Sequence, residues 1–191
     1  MKTAIILHGR PTRAEYFSPS GPSPSNRHWL PWLQHQLILK GYLTQTPELP
    51  HPYAPTWEDH RREFERYQLS PETLLVGHSF GGGFLVRWLS EHKEVRVSRL
   101  ALVAPYIDVE KEDPHGFFEF EIDQNLARRC GRLSLIHSSN DAPEIQSSVR
   151  RLRRQLAGAR YLELANRGHF TTGATAITDT FPELLDELTG D

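Results

Sequence analysis

Ten residues decide the fold of this chain: Leu74-Leu75-Val76-Gly77-His78-Ser79-Phe80-Gly81-Gly82-Gly83. A short apolar run, typical of a buried strand, leads directly into the pattern G-x-S-x-G, and apolar residues at helical spacing follow it. This context predicts a nucleophile elbow, a sharp and strained turn that lifts the hydroxyl of Ser79 out of a sheet. We expect glycine at positions 77 and 81 because a Cβ there would crowd the turn.

Strand and helix patterns alternate along the rest of the sequence. Strands are predicted at Thr3–Leu7, Tyr42–Gln45, Thr73–Val76, Arg99–Val103, Leu133–His137 and Arg160–Leu164. Helices are predicted around residues 29–38, at Trp57–Tyr67, after the elbow, at Pro143–Leu156 and over roughly Ala174–Leu188. The alternation indicates an α/β fold with a roughly six-stranded, mostly parallel sheet and helices on both faces. We expect one domain over residues 1–191.

Composition excludes several classes of protein. The net charge of -2 and the pI of about 6.6 create no field that would select nucleic acid or an anionic membrane. The mean hydropathy of -0.53 and the lack of a long apolar run argue against a transmembrane helix. The N-terminus is predicted to be a strand and not a signal peptide. A single cysteine, Cys130, suits a reducing cytoplasm and is expected to be part-buried before a strand.

Chemically capable side chains follow the predicted strand ends. In a parallel sheet, sites form at the carboxyl ends of the strands. Five residues occupy such positions: His8, Ser79, Tyr106, Asp141 and His169. Their coincidence predicts a site at this edge of the sheet.

The order of these residues along the chain suggests nucleophilic catalysis. A serine hydroxyl needs a base to take its proton, and the base needs a partner that fixes its tautomer. His169, in the loop after the last strand, is the expected base for Ser79. Asp141 is the expected acid, although it could instead cap the helix that begins near Pro143. Asp108, after the strand that follows the elbow, is the alternative acid.

Backbone N–H groups are the expected oxyanion donors. We predict one at Phe80, at the start of the helix after the elbow, and one at Arg10, in the loop after the first strand. His8 is expected to shape that loop, and His78 to point away from Ser79. No H-x-H or H-E-x-x-H pair occurs, so neither a catalytic metal nor another cofactor is expected.

Aromatic and basic stretches suggest further roles. Substrate-pocket candidates are Trp29, Tyr106, Phe117 and Phe118, whereas about half of the aromatic residues near the motifs are expected to be core or loop anchors. The basic run Arg150–Arg154 and the run His60–Arg66 are predicted to be solvated helix faces, the latter with i,i+4 charge pairs.

Several motifs together resemble a known family. They are Trp29-x-x-Trp32, Leu49-Pro50-x-Pro52 followed by Trp57, Gly77-His78-Ser79-x-Gly81, Leu102-Val103-Ala104-x-Tyr106, Gly116-Phe117-Phe118 and Gly168-His169-Phe170. In this order they resemble the small serine hydrolases related to retinoblastoma-binding protein nine and to YdeN. The resemblance implies a compact α/β-hydrolase fold without a large lid domain, and a triad of Ser79, Asp141 and His169.

The sequence departs from that family in two places. The acid loop is shorter after Pro143, so an ungapped alignment sets Ala142 rather than Asp141 opposite the family's acid. The loop Pro11–Arg27 is longer than expected, which would alter the rim of the cleft.

We therefore expect a cytoplasmic serine hydrolase, esterase-like, acting on a small ester, thioester or activated amide. Its expected partners are a small-molecule acyl substrate and water, with no nucleic acid or membrane, and it would be a monomer or small homo-oligomer. Two alternatives are a non-catalytic protein-binding module on a hydrolase scaffold and an acyltransferase that uses the same residues.

Overall fold

A single parallel sheet of six strands organises the protein. The computed structural model describes residues 1–172 and 179–190. The strands are β1 (Thr3–Leu7), β2 (Leu43–Gln45), β3 (Leu74–His78), β4 (Val97–Val103), β5 (Cys130–Ser138) and β6 (Arg160–Leu164). They lie in the order β2-β1-β3-β4-β5-β6, and every neighbouring pair is parallel. The chain reverses its direction of travel across the sheet between β1 and β3, which is where open α/β sheets bind ligands.

Seven α-helices and one 3₁₀ helix, at Pro24–Asn26, surround the sheet in the described part of the chain. The α-helices are α1 (Arg13–Tyr16), α2 (Leu30–Leu39), α3 (Trp57–Phe64), α4 (Phe80–Glu91), α5 (Leu126–Arg129), α6 (Pro143–Gln155) and α7 (Pro182–Thr189). Right-handed crossovers place α2 on one face and α3, α4 and α6 on the other, because the direction of travel reverses after β2. The helix α7 returns to the face of α2, where Phe181 meets the edge of the Trp29 ring. The predicted fold class is confirmed.

Several element boundaries differ from the sequence prediction by one to three residues, and the last helix and the loop after β1 differ more. The last helix begins at Pro182, since proline lacks the N–H that an interior helical position would use and is tolerated at the first turn. Residues 174–178 of the predicted helix lie outside the described residues. The loop after β1 contains the short helix α1, which is capped reciprocally by Thr12 and Glu15. None of the described helices is long and apolar enough to cross a membrane.

The prediction that the run His60–Arg66 forms a solvated helix face is only partly correct. The arginines of this run do form exposed pairs with carboxylates three or four residues away. His60, in contrast, is 1% exposed, and Phe80, Phe84 and Phe117 surround its ring. It faces the core because its position on the helix turns it toward α4, and its Nε2 donates to the carbonyl oxygen of Pro50 at 3.0 Å. Burial lowers the pKa of His60 to about 4.

The expectation for the basic run on α6 is correct, and that for Cys130, a part-buried residue before a strand, is only partly correct because Cys130 is buried and lies within β5. On α6, Arg150, Arg153 and Arg154 are exposed while Leu152 is buried, so the basic run is a solvated helix face. Cys130 is the first residue of β5 and is 8% exposed. Burial raises the pKa of its thiol to about 11, so the thiol stays protonated.

The first turns of α4 approach neighbouring backbone too closely for side chains. A Cβ on Gly83 would overlap the carbonyl oxygen of Tyr106 and would lie 2.7 Å from the ring of Phe118. A Cβ on Gly82 would lie 3.0 Å from Pro105. This run of glycines therefore lets α4 dock against the loop that leaves β4.

Gly83→Ala should destabilise the fold, although alanine ordinarily favours a helix interior over glycine by about 1 kcal/mol. Forcing a methyl group into the filled space next to Tyr106 should instead cost about 2 kcal/mol of unfolding free energy. Urea denaturation of the two proteins measures the difference. Gly21→Ala, in an exposed turn whose nearest neighbour is the end of the Arg27 side chain, is the control and should change stability by less than about 0.5 kcal/mol. A Gly83→Ala protein as stable as wild type would contradict the docking argument.

His60 should make the fold sensitive to acid. The unfolded chain binds a proton at its ordinary pKa of 6.5, whereas the folded chain does so only near pH 4, so stability is lost as pH falls through that window. Between pH 7.5 and pH 5 this residue should account for a loss of about 2 kcal/mol. His60→Gln, which keeps an N–H donor for Pro50 but does not titrate, should lose that much less.

Urea denaturation at the two pH values measures this difference. The exposed His35→Gln is the matched control and should lose stability on acidification as wild type does. Equal losses in wild type and His60→Gln would overturn the assignment.

Candidate active site

Ser79 lies on a strained turn between β3 and α4. Its backbone has φ +52° and ψ -117°, a conformation that side-chain-bearing residues rarely adopt. The turn is held because the Ser79 N–H donates to Val103 at 2.8 Å, and its carbonyl accepts from Tyr106 at 3.0 Å and from Gly83 at 3.1 Å. Because α4 begins at Phe80, directly after Ser79, the positive end of the helix dipole lies next to Ser79.

The two elbow glycines have steric reasons to lack a side chain. A Cβ on Gly77 would lie 2.6 Å from the backbone nitrogen of Gly82, and one on Gly81 would lie 2.5 Å from the carbonyl oxygen of His8. Both approaches are backbone to backbone, so a larger residue could be accommodated only by moving the turn.

Three side chains from separate loops form a continuous hydrogen-bonded chain. His169 Nε2 lies 2.9 Å from Ser79 Oγ, and His169 Nδ1 lies 3.0 Å from each carboxylate oxygen of Asp141. The Asp141 side chain is 1% exposed and that of His169 is 33% exposed. A carboxylate accepts, so Nδ1 carries the proton in the neutral ring and Nε2 is left as the acceptor that faces the hydroxyl.

The alternative acid lies elsewhere. Asp108 accepts from the backbone N–H groups of Glu112 and Asp113 at 3.0 and 2.8 Å and so folds the loop after β4. Asp141 does not act as the cap of α6, whose N-cap residue is Ala142 and makes no side-chain capping bond. An ungapped alignment would set Ala142 opposite the family's acid, but Ala142 has no acidic group, and it is Asp141 that contacts His169.

The loop that carries His169 is fastened on two sides. The backbone N–H groups of Arg167 and Gly168 donate to Ser138 Oγ and Asn140 Oδ1, each at 2.8 Å. From the other side, His78 Nε2 donates to the carbonyl oxygen of His169 at 2.9 Å. Burial, followed by the neighbouring His169, holds the pKa of His78 well below its ordinary value, so the ring stays a neutral donor.

Sequence reasoning missed this role of His78. The motif indicated only that its side chain points away from Ser79. No sequence pattern indicates the hydrogen bond from His78 to the His169 carbonyl, because the two residues are 91 positions apart and meet only in the folded chain.

The loop after β1 is oriented by His8. The buried His8 ring donates from Nδ1 to the carbonyl of Gly9 at 2.7 Å, and its Nε2 accepts from the N–H of Leu49 at 3.0 Å. Burial lowers the pKa of His8, which keeps this neutral tautomer. Because a trans peptide directs its C=O and N–H oppositely, holding the Gly9 carbonyl also fixes the direction of the Arg10 N–H.

Ser79 stands between two compartments of one cleft. We call the smaller one the arginine compartment; it has a volume of about 270 Å³, and its lining includes Arg10, Glu15, Arg27, His28, Thr171 and Thr172. We call the larger one the glutamate compartment; it has a volume of about 760 Å³, and its lining includes Phe80, Tyr106, Glu110, Glu112, Glu144 and Ile145. Ser79, His169 and Arg10 line both.

Of the four aromatic substrate candidates, only Tyr106 lines this cleft. Burial, with the carboxylates of Asp108 and Glu112 nearby, raises the pKa of Tyr106 to about 12. The expectation is wrong for Trp29, which is fully buried and packs on His78 and Phe181.

It is also wrong for Phe117 and Phe118, which are buried against Phe80. The two rings belong to the hydrophobic core. Large apolar side chains pack in a core as readily as they line a pocket, so residue type alone does not separate the two roles. Among the described residues, no group of three or more His, Cys, Asp or Glu side chains is placed to hold a metal ion.

Several solved structures share the fold of this chain. The ydeN gene product of B. subtilis is 25% identical, with a TM-score of 0.81 over 99% of this chain and 97% of that one. Est1E from Butyrivibrio proteoclasticus is 12% identical, with a TM-score of 0.65 over 97% and 86%. A serine hydrolase involved in carbazole degradation, CarC, is 12% identical, with a TM-score of 0.54 over 89% and 84%. The latter two share the fold alone.

A comparison with curated proteins found no significant match. A family model described as serine hydrolase matches residues 20–188. This match covers most of the chain, including the elbow and the loops of Asp141 and His169, and it confirms the family expected from the motifs. The chain belongs to the serine hydrolase family.

Proposed function

We propose that this protein hydrolyses a small ester, thioester or activated amide through an acyl-enzyme formed on Ser79. The observation that carries the proposal is the unbroken hydrogen-bonded chain from Ser79 through His169 to the buried Asp141, with contacts of 2.9 and 3.0 Å. His169 Nε2 takes the hydroxyl proton as Ser79 Oγ attacks the carbonyl carbon. Asp141 holds the ring in the required tautomer and stabilises the imidazolium that forms.

The tetrahedral intermediate places negative charge on the former carbonyl oxygen. We assign the stabilising donors to the backbone N–H groups of Phe80 and Arg10. Support comes from their positions: Phe80 is the first residue of α4, and the peptide before Arg10 is fixed through the His8–Gly9 hydrogen bond. One such donor is typically worth about 3 kcal/mol of transition-state stabilisation.

The same groups complete the cycle in reverse. The protonated His169 gives its proton to the leaving alcohol, thiol or amine, which departs as the carbonyl re-forms. Water then enters, loses a proton to His169 and attacks the acyl carbon. The bond from that carbon to Ser79 Oγ breaks, His169 returns the proton to Oγ, and the acyl group departs as a carboxylic acid. Compartments of about 270 and 760 Å³ favour a substrate with a short group on one side of the carbonyl.

Ser79→Ala should abolish turnover of 4-nitrophenyl acetate and butyrate, with a loss on the order of 10⁶ in kcat before the background reaction dominates. Labelling by a fluorophosphonate, which reacts only with an activated serine, should disappear in parallel. Ser20→Ala, at an exposed position in the loop before α2, is the matched control and should label and turn over as wild type does.

Two outcomes would redirect this proposal. A folded wild type that neither labels nor hydrolyses would favour a non-catalytic binding module. Labelling with products that shift when alcohols or amines are added would instead favour acyl transfer.

Asp141→Asn should lower kcat by roughly 10³- to 10⁴-fold, because an amide can hold His169 in the wrong tautomer. Asp108→Asn should stay within a few-fold of wild type, since the Asp108 carboxylate accepts hydrogen bonds from Tyr106, Glu112 and Asp113 in the loop after β4 and not from His169. Steady-state kinetics at one pH, with circular dichroism as a folding check, compares the two variants. A loss in Asp108→Asn as large as that in Asp141→Asn would contradict the assignment of the acid.

A further inference from the structure

The two compartments beside Ser79 carry opposite charge, which bears on the substrate of the proposed hydrolase. The lining residues of the arginine compartment include two arginines, Arg10 and Arg27, and one glutamate, Glu15. Among the described residues, the lining of the glutamate compartment includes three glutamates, Glu110, Glu112 and Glu144, and one arginine, Arg10. A substrate carbonyl placed on Ser79 would therefore have a cationic space on one side and an anionic space on the other.

Arg27 is the central cation of the arginine compartment. Its side chain is only 15% exposed. Nε donates to the carbonyl oxygen of Pro22 at 2.9 Å, and Nη2 donates to the backbone carbonyl oxygen of Glu15 at 2.8 Å. Its Nη1 makes no hydrogen bond to the described residues and lies 3.8 Å from the Glu15 carboxylate. A guanidinium group has five N–H donors, so donors remain for an anion.

The Glu15 carboxylate is already committed elsewhere. It accepts from the N–H and the hydroxyl of Thr12, each at 2.7 Å, and these bonds lower the pKa of Glu15. It closes the cap of α1, and its other oxygen lies 3.8 Å from Nη1 of Arg27, a weak ion pair that is too long for a hydrogen bond and leaves the Nη1 donors free for another anion.

His28 adds polarity to this compartment without adding charge. Burial, followed by the nearby Arg27, lowers the pKa of His28 to about 4, so the ring is neutral near pH 7. Its Nδ1 accepts from the N–H of Thr172 at 3.0 Å, which leaves the proton on Nε2 as a donor. The formal charges of the lining therefore sum to one positive charge.

The glutamate compartment would repel the group that the arginine compartment attracts. Its lining includes the buried apolar side chains of Phe80 and Ile145, while its three glutamates are exposed to solvent. An anionic substituent would face like charge there and find one cation. The pair of compartments thus favours one orientation for a substrate that is charged at one end.

We propose that the arginine compartment binds a short carboxylate-bearing substituent of the substrate, while the uncharged part occupies the glutamate compartment. This inference rests on the proposed function. A volume of about 270 Å³ holds about nine water-sized groups, enough for a chain of a few carbons ending in a carboxylate. Arginine suits that ligand because its planar fork can bind both carboxylate oxygens.

Two matched pairs of esters test the proposal and distinguish the two sides of the scissile bond. On the acyl side, 4-nitrophenyl hydrogen adipate is compared with 4-nitrophenyl 6-methylheptanoate, which has the same shape but no charge. On the leaving-group side, 4-acetoxybenzoate is compared with 4-isopropylphenyl acetate. Each kcat/KM is divided by the hydroxide-catalysed rate of the same ester, so that intrinsic reactivity cancels.

We expect the charged member of one pair to be favoured by about tenfold, which corresponds to one good ionic contact. The preference should fall by at least about threefold in Arg27→Gln and in Arg10→Gln, because each variant removes one cation from the lining. It should fall by a similar factor when ionic strength is raised from about 0.05 to about 0.5 M, because salt screens partly exposed charges. The second variant and the salt series keep the test valid if Arg27→Gln fails to fold. Arg13→Gln is the matched control; its guanidinium lies over Phe17 and Tyr53, outside the compartment, and it should preserve the preference.

The outcomes separate this inference from the proposed function. Neutral esters that are hydrolysed in a Ser79-dependent way, with no preference for either charged partner, would overturn the carboxylate site and leave the hydrolase intact. A preference unchanged in both variants and by salt would overturn it as well. Absence of Ser79-dependent hydrolysis of every ester would defeat the proposed function itself.

Discussion

The strained backbone of Ser79 is the constraint around which the other elements are arranged. A residue with a side chain at φ +52° is disfavoured, typically by about 1–3 kcal/mol, so the surrounding structure must hold it there. Hydrogen bonds to Val103, Gly83 and Tyr106 do so by attaching both backbone groups of Ser79 to the end of β4 and to α4. The buried parallel sheet gives those partners fixed positions, and the elbow is as rigid as the sheet that supports it.

Glycine makes this arrangement sterically possible. The backbone of α4 comes so close to β3 and to the loop after β4 that a Cβ at position 77, 81 or 83 would meet backbone atoms. The glycine run lowers the intrinsic helix propensity of α4 at its first turns. Burial of the helix against the sheet compensates, since most of its residues are inaccessible to solvent. Tertiary packing, rather than local propensity, therefore determines where α4 begins.

The sequence predicted the elements and residues whose positions follow from chain order. Once parallel strands were expected, the residues after their ends had to meet, and Ser79, Asp141 and His169 do. Face-dependent properties could not be predicted in the same way. Trp29 and Phe117 have the hydrophobicity of pocket residues but fill the core, and His60 lies in a charged run yet faces three phenylalanines. Hydrophobicity and spacing predict the helix or strand in which a residue lies. Whether that residue lines a pocket or is buried in the core depends on which other elements pack against its side chain.

The division of labour between the loops follows from the same geometry. The elbow and the loops of Asp141 and His169 are fastened to each other and to strand ends, so they have little freedom to vary. The residues that give the cleft its two signs of charge lie instead on the long loop after β1, the loop after β4 and the start of α6. Arg27 is held there by backbone carbonyls of its own loop, at Pro22 and Glu15, and not by the sheet. A change at Arg27 can therefore alter the charge beside Ser79 without moving the hydrogen-bonded chain that would activate it. We accordingly place the nucleophile, base and acid at the strand ends, whereas the loop after β1 contributes both the proposed Arg10 oxyanion donor and part of the charge that would select the substrate.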